Sequence, residues 1–155
     1  EGAVFTLDTA QIGGVDSTVR KTEVSMEADA KLFVMEKLMT HDNQTAVSDM
    51  TVEMNGAGSS AQIVSRSVAK GHSVQTFHPI AIGNALCHAH VQCDSIIMDK
   101  AQISSIPEIN ARDIDAQIIH EAAIGRINNE QILKLRTFGM TEEEAEAVII
   151  EDFLA

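Results

Sequence analysis

Tryptophan and tyrosine are absent from this chain, and five phenylalanines are the only aromatic residues among its 155. A core without large aromatic anchors has to be built from Val, Ile, Leu, Met and Ala, which suits flat, regularly stacked layers. Proline occurs only twice, and apolar residues make up 45% of the sequence, so an extended disordered tract is excluded. Cysteine also occurs only twice, too few for a disulfide framework, and with seven Met the chain fits a reducing compartment. Eleven basic residues stand against 23 acidic ones, for a net charge of −12. Nucleic-acid binding needs clustered Lys and Arg to release counterions, so that class of partner is excluded.

No apolar run approaches the roughly 18 residues that span a bilayer, and no signal peptide is visible. A soluble, cytoplasmic protein is expected, with no membrane partner. P-loop, G-x-S-x-G and dinucleotide-binding fingerprints are missing, and no nucleophile–base pair stands out. Intrinsic catalysis is therefore not expected. The length allows one domain with a real core. The sequence opens at Glu1 already in strand-like residues, as either a trimmed piece or a short homologue would.

What is present is mostly strand. Residues 4–7 are β-like and Gly13-Gly14 turns them; residues 19–26 and 45–54 carry β-branched and apolar side chains in alternation. Val47, Val52 and Met54 are expected to point inward. Residues 31–39 (KLFVMEKLM) fit a short helix or a strand, and the strand-like neighbours with the turn at His41-Asp42-Asn43 favour the strand.

A repeat then emerges. Small-residue turns recur at Asn55-Gly56-Ala57-Gly58, Ala69-Lys70-Gly71-His72, Gly83-Asn84-Ala85 and Asp99-Lys100-Ala101, with strand-like runs at 61–65, 74–77, 88–92 and 95–98 between them. Units this short cannot bury a face alone and must stack on their neighbours. The expected fold is mainly β: a right-handed parallel β-helix, with two strand segments per coil of about 28 to 30 residues. An antiparallel sandwich is the competitor. It should show repeated Asn-Gly hairpin turns, and only Asn55-Gly56 qualifies.

After Pro107 the period changes. Residues 111–123 fit either a helix or one more strand. Asn128 with Gln131, and Thr141 with Glu144, have capping-box spacing, and Gly139 falls where a first helix should end. Glu142, Glu143 and Glu144 complement the dipole of a second helix, whose apolar stripe is Ala145, Val148, Ile149 and Phe153. The division expected is a β-helix core over 1–123 and a helical hairpin over 124–155.

Chemistry concentrates in the middle of the chain. Cys87-His88-Ala89-His90-Val91-Gln92-Cys93 holds two thiols and two imidazoles in seven residues. On one unbroken strand Cys87, Ala89, Val91 and Cys93 share a face, while His88 and His90 share the other. One strand therefore cannot offer all four groups to one metal, and a closed zinc site is not expected. On spacing alone, packed structural cysteines and a functional thiol both remain open. His120 and Glu121 are adjacent, so on a strand they point to opposite sides. The pair is not a zincin motif, because Ile124 stands where the second His is needed. Gly56-Ala57-Gly58-Ser59-Ser60 lacks the Lys of a phosphate cradle and reads as a tight bend.

Seven short motifs in order carry a family resemblance: Ser65-Arg66-Ser67, Gly83-Asn84-Ala85, Gln92-Cys93-Asp94-Ser95, Ile106-Pro107-Glu108-Ile109, His120 to Ile127 (HEAAIGRI), Glu130-Gln131 and Gly139 to Ala145 (GMTEEEA). Together they resemble the SufB/SufD family of iron–sulfur cluster assembly proteins, in register from about Gly56 to Phe153. The resemblance implies a parallel β-helix followed by C-terminal helices. It also implies a homodimer or a SufB–SufD heterodimer formed through the β-helix, and a SufC-type ABC ATPase bound by the helical region. It maps the residues implicated in building a nascent cluster onto Cys93, His120 and Glu121, and it places the chain nearer SufB than SufD. Glu151-Asp152-Phe153 departs from the family's Gly before Phe.

Two readings follow. In the first, the chain is a scaffold component that holds a transient iron–sulfur cluster, or its iron or sulfur, through Cys93, His120 and Glu121 at a dimer interface. The ATPase would dock on Ile132, Leu135, Val148, Ile149 and Phe153, and the two paired stripes would be partly exposed in the isolated protein. In the second, the chain is a β-helix interaction module without a metal site, and Cys93 is a packed core residue.

Overall fold

The structure is a computed structural model that describes residues 2–155. Ten strands precede two helices. In chain order they are β1 (Val4–Ile12), β2 (Ser17–Met26), β3 (Lys31–Thr40), β4 (Thr45–Met54), β5 (Ser59–Ala69), β6 (Val74–Gly83), β7 (Cys87–Ile97), β8 (Gln102–Ser105), β9 (Glu108–Ala111) and β10 (Ala116–Gly125). The helices are α1 (Asn129–Thr137) and α2 (Glu142–Leu154).

Odd and even strands separate into two sheets. One runs β1-β3-β5-β7-β10, the other β2-β4-β6-β8, with β9 also paired to β6. Every pairing among the described strands is parallel. The antiparallel sandwich is thereby excluded, and the chain is a parallel β-helix. Val4, Lys31, Ser60, His88 and Gln117 form one unbroken row, so each coil consumes 27 to 29 residues.

The alternation expected for strands with one buried face is present. In β3 the inward set is Leu32, Val34, Glu36, Leu38 and Thr40; in β7 it is Cys87, Ala89, Val91, Cys93 and Ser95. Residues 31–39 are strand, as their neighbours suggested. The inward set of β4 is Ala46, Ser48, Met50, Val52 and Met54. Val47 therefore points outward, against expectation: it lies an odd number of residues from Val52, and a period of two cannot put both on one face. The runs at 88–92 and 95–98 are a single strand, β7. The ambiguous stretch 111–123 contributes β10.

The turns fall where small residues recur, and one of them is forced. A Cβ on Gly56 would lie 1.9 Å from the backbone nitrogen of Ala28 in the coil below, so only glycine lets these two bends stack. Pro79 sits inside β6 although it has no amide hydrogen. The neighbouring coil is interrupted opposite it, between the end of β8 at Ser105 and the start of β9 at Glu108, so no ladder bond is lost there.

The main core holds Leu32, Val34, Met50, Val52, Met54, Ile63, Phe77 and Val91 between the sheets. A smaller cluster of Val68, Met98, Ile150 and Leu154 fastens α2 to the β5 and β7 bends. Cations from the solenoid also meet this helix. Lys37 donates to the carbonyl of Ala155, Arg66 to that of Phe153 at 3.3 Å, and Lys70 pairs with Glu146 at 3.2 Å. The first two lie at the helix C-terminus, where the dipole favours positive charge.

Thr141 and Glu144 close the capping box of α2 as expected. Asn128 caps α1 differently, accepting from the amide of Glu130 at 2.9 Å, and no box with Gln131 is formed. The buried residues of α2 are Ala145, Ile150 and Leu154; Val148 and Ile149 turn instead toward α1, and Phe153 packs at the edge of the smaller cluster. No helix among the described residues is long and apolar enough to cross a membrane.

Candidate functional site

The parallel register sets what can meet at the last coil. β7 and β10 pair so that His120 lies beside Val91 and Ala122 beside Cys93. Inward parity places both Cys93 and His120 inside the solenoid, on adjacent rungs. Cys93 Sγ and His120 Nε2 are 3.3 Å apart. Of the groups singled out in the sequence, these two are brought together inside the solenoid.

Glu121 is not part of that pair. Adjacent to His120 on a strand, it emerges on the outer face, where its Oε2 lies 3.3 Å from His90 Nε2. Cys87 faces inward at the other end of β7, packed in the main core among Ala89, Ala116 and Ile118. His88 is exposed on the outer face. No three of His, Cys, Asp and Glu already gather at metal-holding distance among the described residues.

The electrostatics of the inner pair follow from burial. Cys93 is 3% exposed, and burial pushes its thiol up; the Ser105 hydroxyl opposes this, while the charges of Asp94 and Glu36 add to it. Burial also pushes the His120 imidazolium down. At neutral pH the pair is thus a neutral thiol beside a neutral imidazole. Its ring nitrogen is a ready acceptor for the thiol proton, and an arriving soft metal ion would displace that proton and leave a thiolate ligand.

Behind Cys93 the interior is polar. Glu36, Ser48, Ser65, Ser67, Gln75 and Ser105 line a cavity of about 10 Å³ with it. Glu36 is buried at 2% exposure and ion-paired with Arg20, and it accepts from Ser48 at 3.1 Å. Burial pushes its carboxyl up, and Arg20 partly offsets that. This polar lining escaped the sequence reading. Its signal was Glu36 itself, a charged residue on the buried parity of an otherwise apolar alternation. His90 was singled out in the sequence, but its pairing with Glu121 was not foreseen, because the contact joins two neighbouring coils.

β10 is the terminal strand of its sheet, and residues 121–125 are all exposed. Ile119 and Ile124 are 48% and 44% exposed on it. On the helical hairpin Leu135, Phe138, Val148 and Ile149 line an open groove. Ile132 and Leu135 are half-buried and Val148 is exposed, as the docking reading expected.

Comparison with known proteins finds a matching family model and several relatives. The family model described as "SUF system FeS cluster assembly, SufBD core domain" matches residues 1–153. A protein of Methanocaldococcus jannaschii named as an iron–sulfur cluster assembly SufBD family protein is 29% identical over 151 residues, 97% of this chain and 47% of its own length. Proteins of the same name from Pyrococcus horikoshii and Archaeoglobus fulgidus are 31% and 27% identical, over 87% and 99% of this chain. The matched parts are 44% and 42% of those two relatives, so the chain spans less than half the length of the proteins it resembles.

Proposed function

This chain belongs to the SufBD core family of the SUF iron–sulfur cluster assembly system, and from that premise we propose that it is a scaffold component holding a nascent cluster, or its iron or sulfur, at the last coil. The observation that carries the reading is the 3.3 Å approach of Cys93 to His120 beside the open outer edge of strand β10. One thiol, a soft donor once deprotonated, and one imidazole, which also suits iron, fit such cargo, yet they are only part of a four-ligand set. Incomplete ligation keeps a cluster transferable. The rest of the shell comes from a second chain laid against β10, whether a copy of this one or a SufD-like partner, because an open strand edge with exposed isoleucines is a template for pairing. A SufC-type ATPase docks on the hairpin through Ile132, Leu135, Val148, Ile149 and Phe153. Phe153 contributes from the end of the helix that packs on the solenoid. Any ATP hydrolysis belongs to that partner.

One observation favours the plainer reading of an interaction module without a metal site: Cys93 is almost fully buried. Anaerobic reconstitution with iron and sulfide separates the two. Charge-transfer absorption at about 400 nm in the unaltered chain and its loss in Cys93→Ser is the expected result. Equal spectra for the two proteins, or no chromophore in either with a SufC-type ATPase present, would retire the cluster site.

A further inference from the structure

We propose that the outer face of the last coil carries a second, separate site for a divalent transition-metal ion, formed by His90, Glu121 and His88. His90 and His88 are two residues apart on β7 and share its outer face. Side chains at that spacing on a strand rise side by side, so two imidazoles can reach one ion. Glu121 comes across from β10, with its Oε2 3.3 Å from His90 Nε2. Two donors bound at about 2.1 Å to one tetrahedral ion lie roughly 3.4 Å apart, so the spacing is already that of a pair of ligands.

His90 Nε2 is also sealed from solvent without a hydrogen-bond partner. It faces the carboxylate, but not along a bonding direction. A buried nitrogen left unpaired costs free energy unless something else satisfies it, and an ion between it and Glu121 does so. His88 is exposed and free to turn its ring toward the pair. The donor set is nitrogen and oxygen, which suits ferrous iron, cobalt or zinc. The inner pair offers sulfur and nitrogen. The coil thus presents two chemistries on opposite sides of the same two strands. Only the assignment of iron as the natural occupant rests on the proposed scaffold function.

The test is equilibrium dialysis of the full chain against cobalt(II), with visible spectroscopy, on the unaltered protein and on His90→Ala, His88→Ala, Glu121→Gln and Cys93→Ser. Thiolate charge-transfer absorption marks any cobalt taken up at Cys93, and one ion without that absorption is expected per chain at the outer residues. It should be weakened at least about tenfold by His90→Ala and by Glu121→Gln, weakened by His88→Ala, and retained in Cys93→Ser. Unchanged binding in His90→Ala, loss of binding in Cys93→Ser, or no binding by the unaltered chain would overturn the proposal. The three outer residues lie on the surface face of their strands, and an unchanged melting temperature verifies that the variants fold. Loss or retention of the reconstituted chromophore in Cys93→Ser reports on the inner site alone, so the two proposals fail separately.

Discussion

Cys93 and His120 stand 27 residues apart in sequence and 3.3 Å apart in space, one coil of the solenoid from each other. Nothing local joins them. The pair exists because β7 and β10 are held in parallel register along ten residue pairs, which fixes the rung on which each side chain projects. Chemistry at this site therefore depends on stacking elsewhere in the fold.

The stacking is most sensitive at Gly56. The Gly56→Ala variant is expected to lose about 3 kcal/mol or more, because the added methyl would overlap the backbone of Ala28, which cannot move without opening a coil. Gly125→Ala is the matched control, since a Cβ there meets nothing within 4 Å. Urea unfolding of both variants checks the contrast, and equal midpoints would refute it.

Arg20 is expected to matter through Glu36. Arg20→Ala leaves a buried carboxylate without its ion-pair partner and should cost about 1–3 kcal/mol, a range kept modest because Arg20 is one-third exposed. The folded Glu36 carboxyl titrates above its ordinary value of 4.5, so the stability it contributes is present below that pH and lost as pH rises through the folded value. In Glu36→Gln that decline should vanish. Melting curves taken from about pH 4 upward would show it, and an unchanged slope would count against burial as the dominant cause.

His120 should show the opposite sign. Its folded pKa lies below the ordinary 6.5, so its contribution is present above that value and is lost as pH falls through the folded one. In His120→Gln, melting temperature should fall less steeply between about pH 7 and 5 than in the unaltered protein. Parallel slopes would mean that the imidazole is solvated in the folded chain.

Much of this was legible in the sequence because the solenoid writes itself locally. Small residues at each bend recur at coil spacing, and alternation within the strands gives the buried face. The errors came where a local rule met a longer one. Val47 looked like core by composition, yet the parity of β4 assigns it to the surface. The break expected inside 88–98 was not needed, because β7 continues through Asp94 with its inward set intact. For the site, alternation alone separated His120 from Glu121 and the thiols from His88 and His90. What alternation could not supply was register. Which rung of β10 meets which rung of β7 is decided by a coil offset of 29 residues, as in Ala116 beside Cys87, and that offset brings His120 to Cys93 and Glu121 to His90.

Thr9, Glu36, Ser65, Cys93 and Ala122 occupy successive coils of a single inner row. Such a row is a graduated scale: neighbouring strands are about 4.8 Å apart, so the row offers fixed depths and nothing between them. A thiol moved from Cys93 to Ser65 would retreat one graduation from the open end, without change of direction. Evolution along such a ladder can reposition a reactive group only in whole steps, and Cys93 stands on the last rung still covered by another strand.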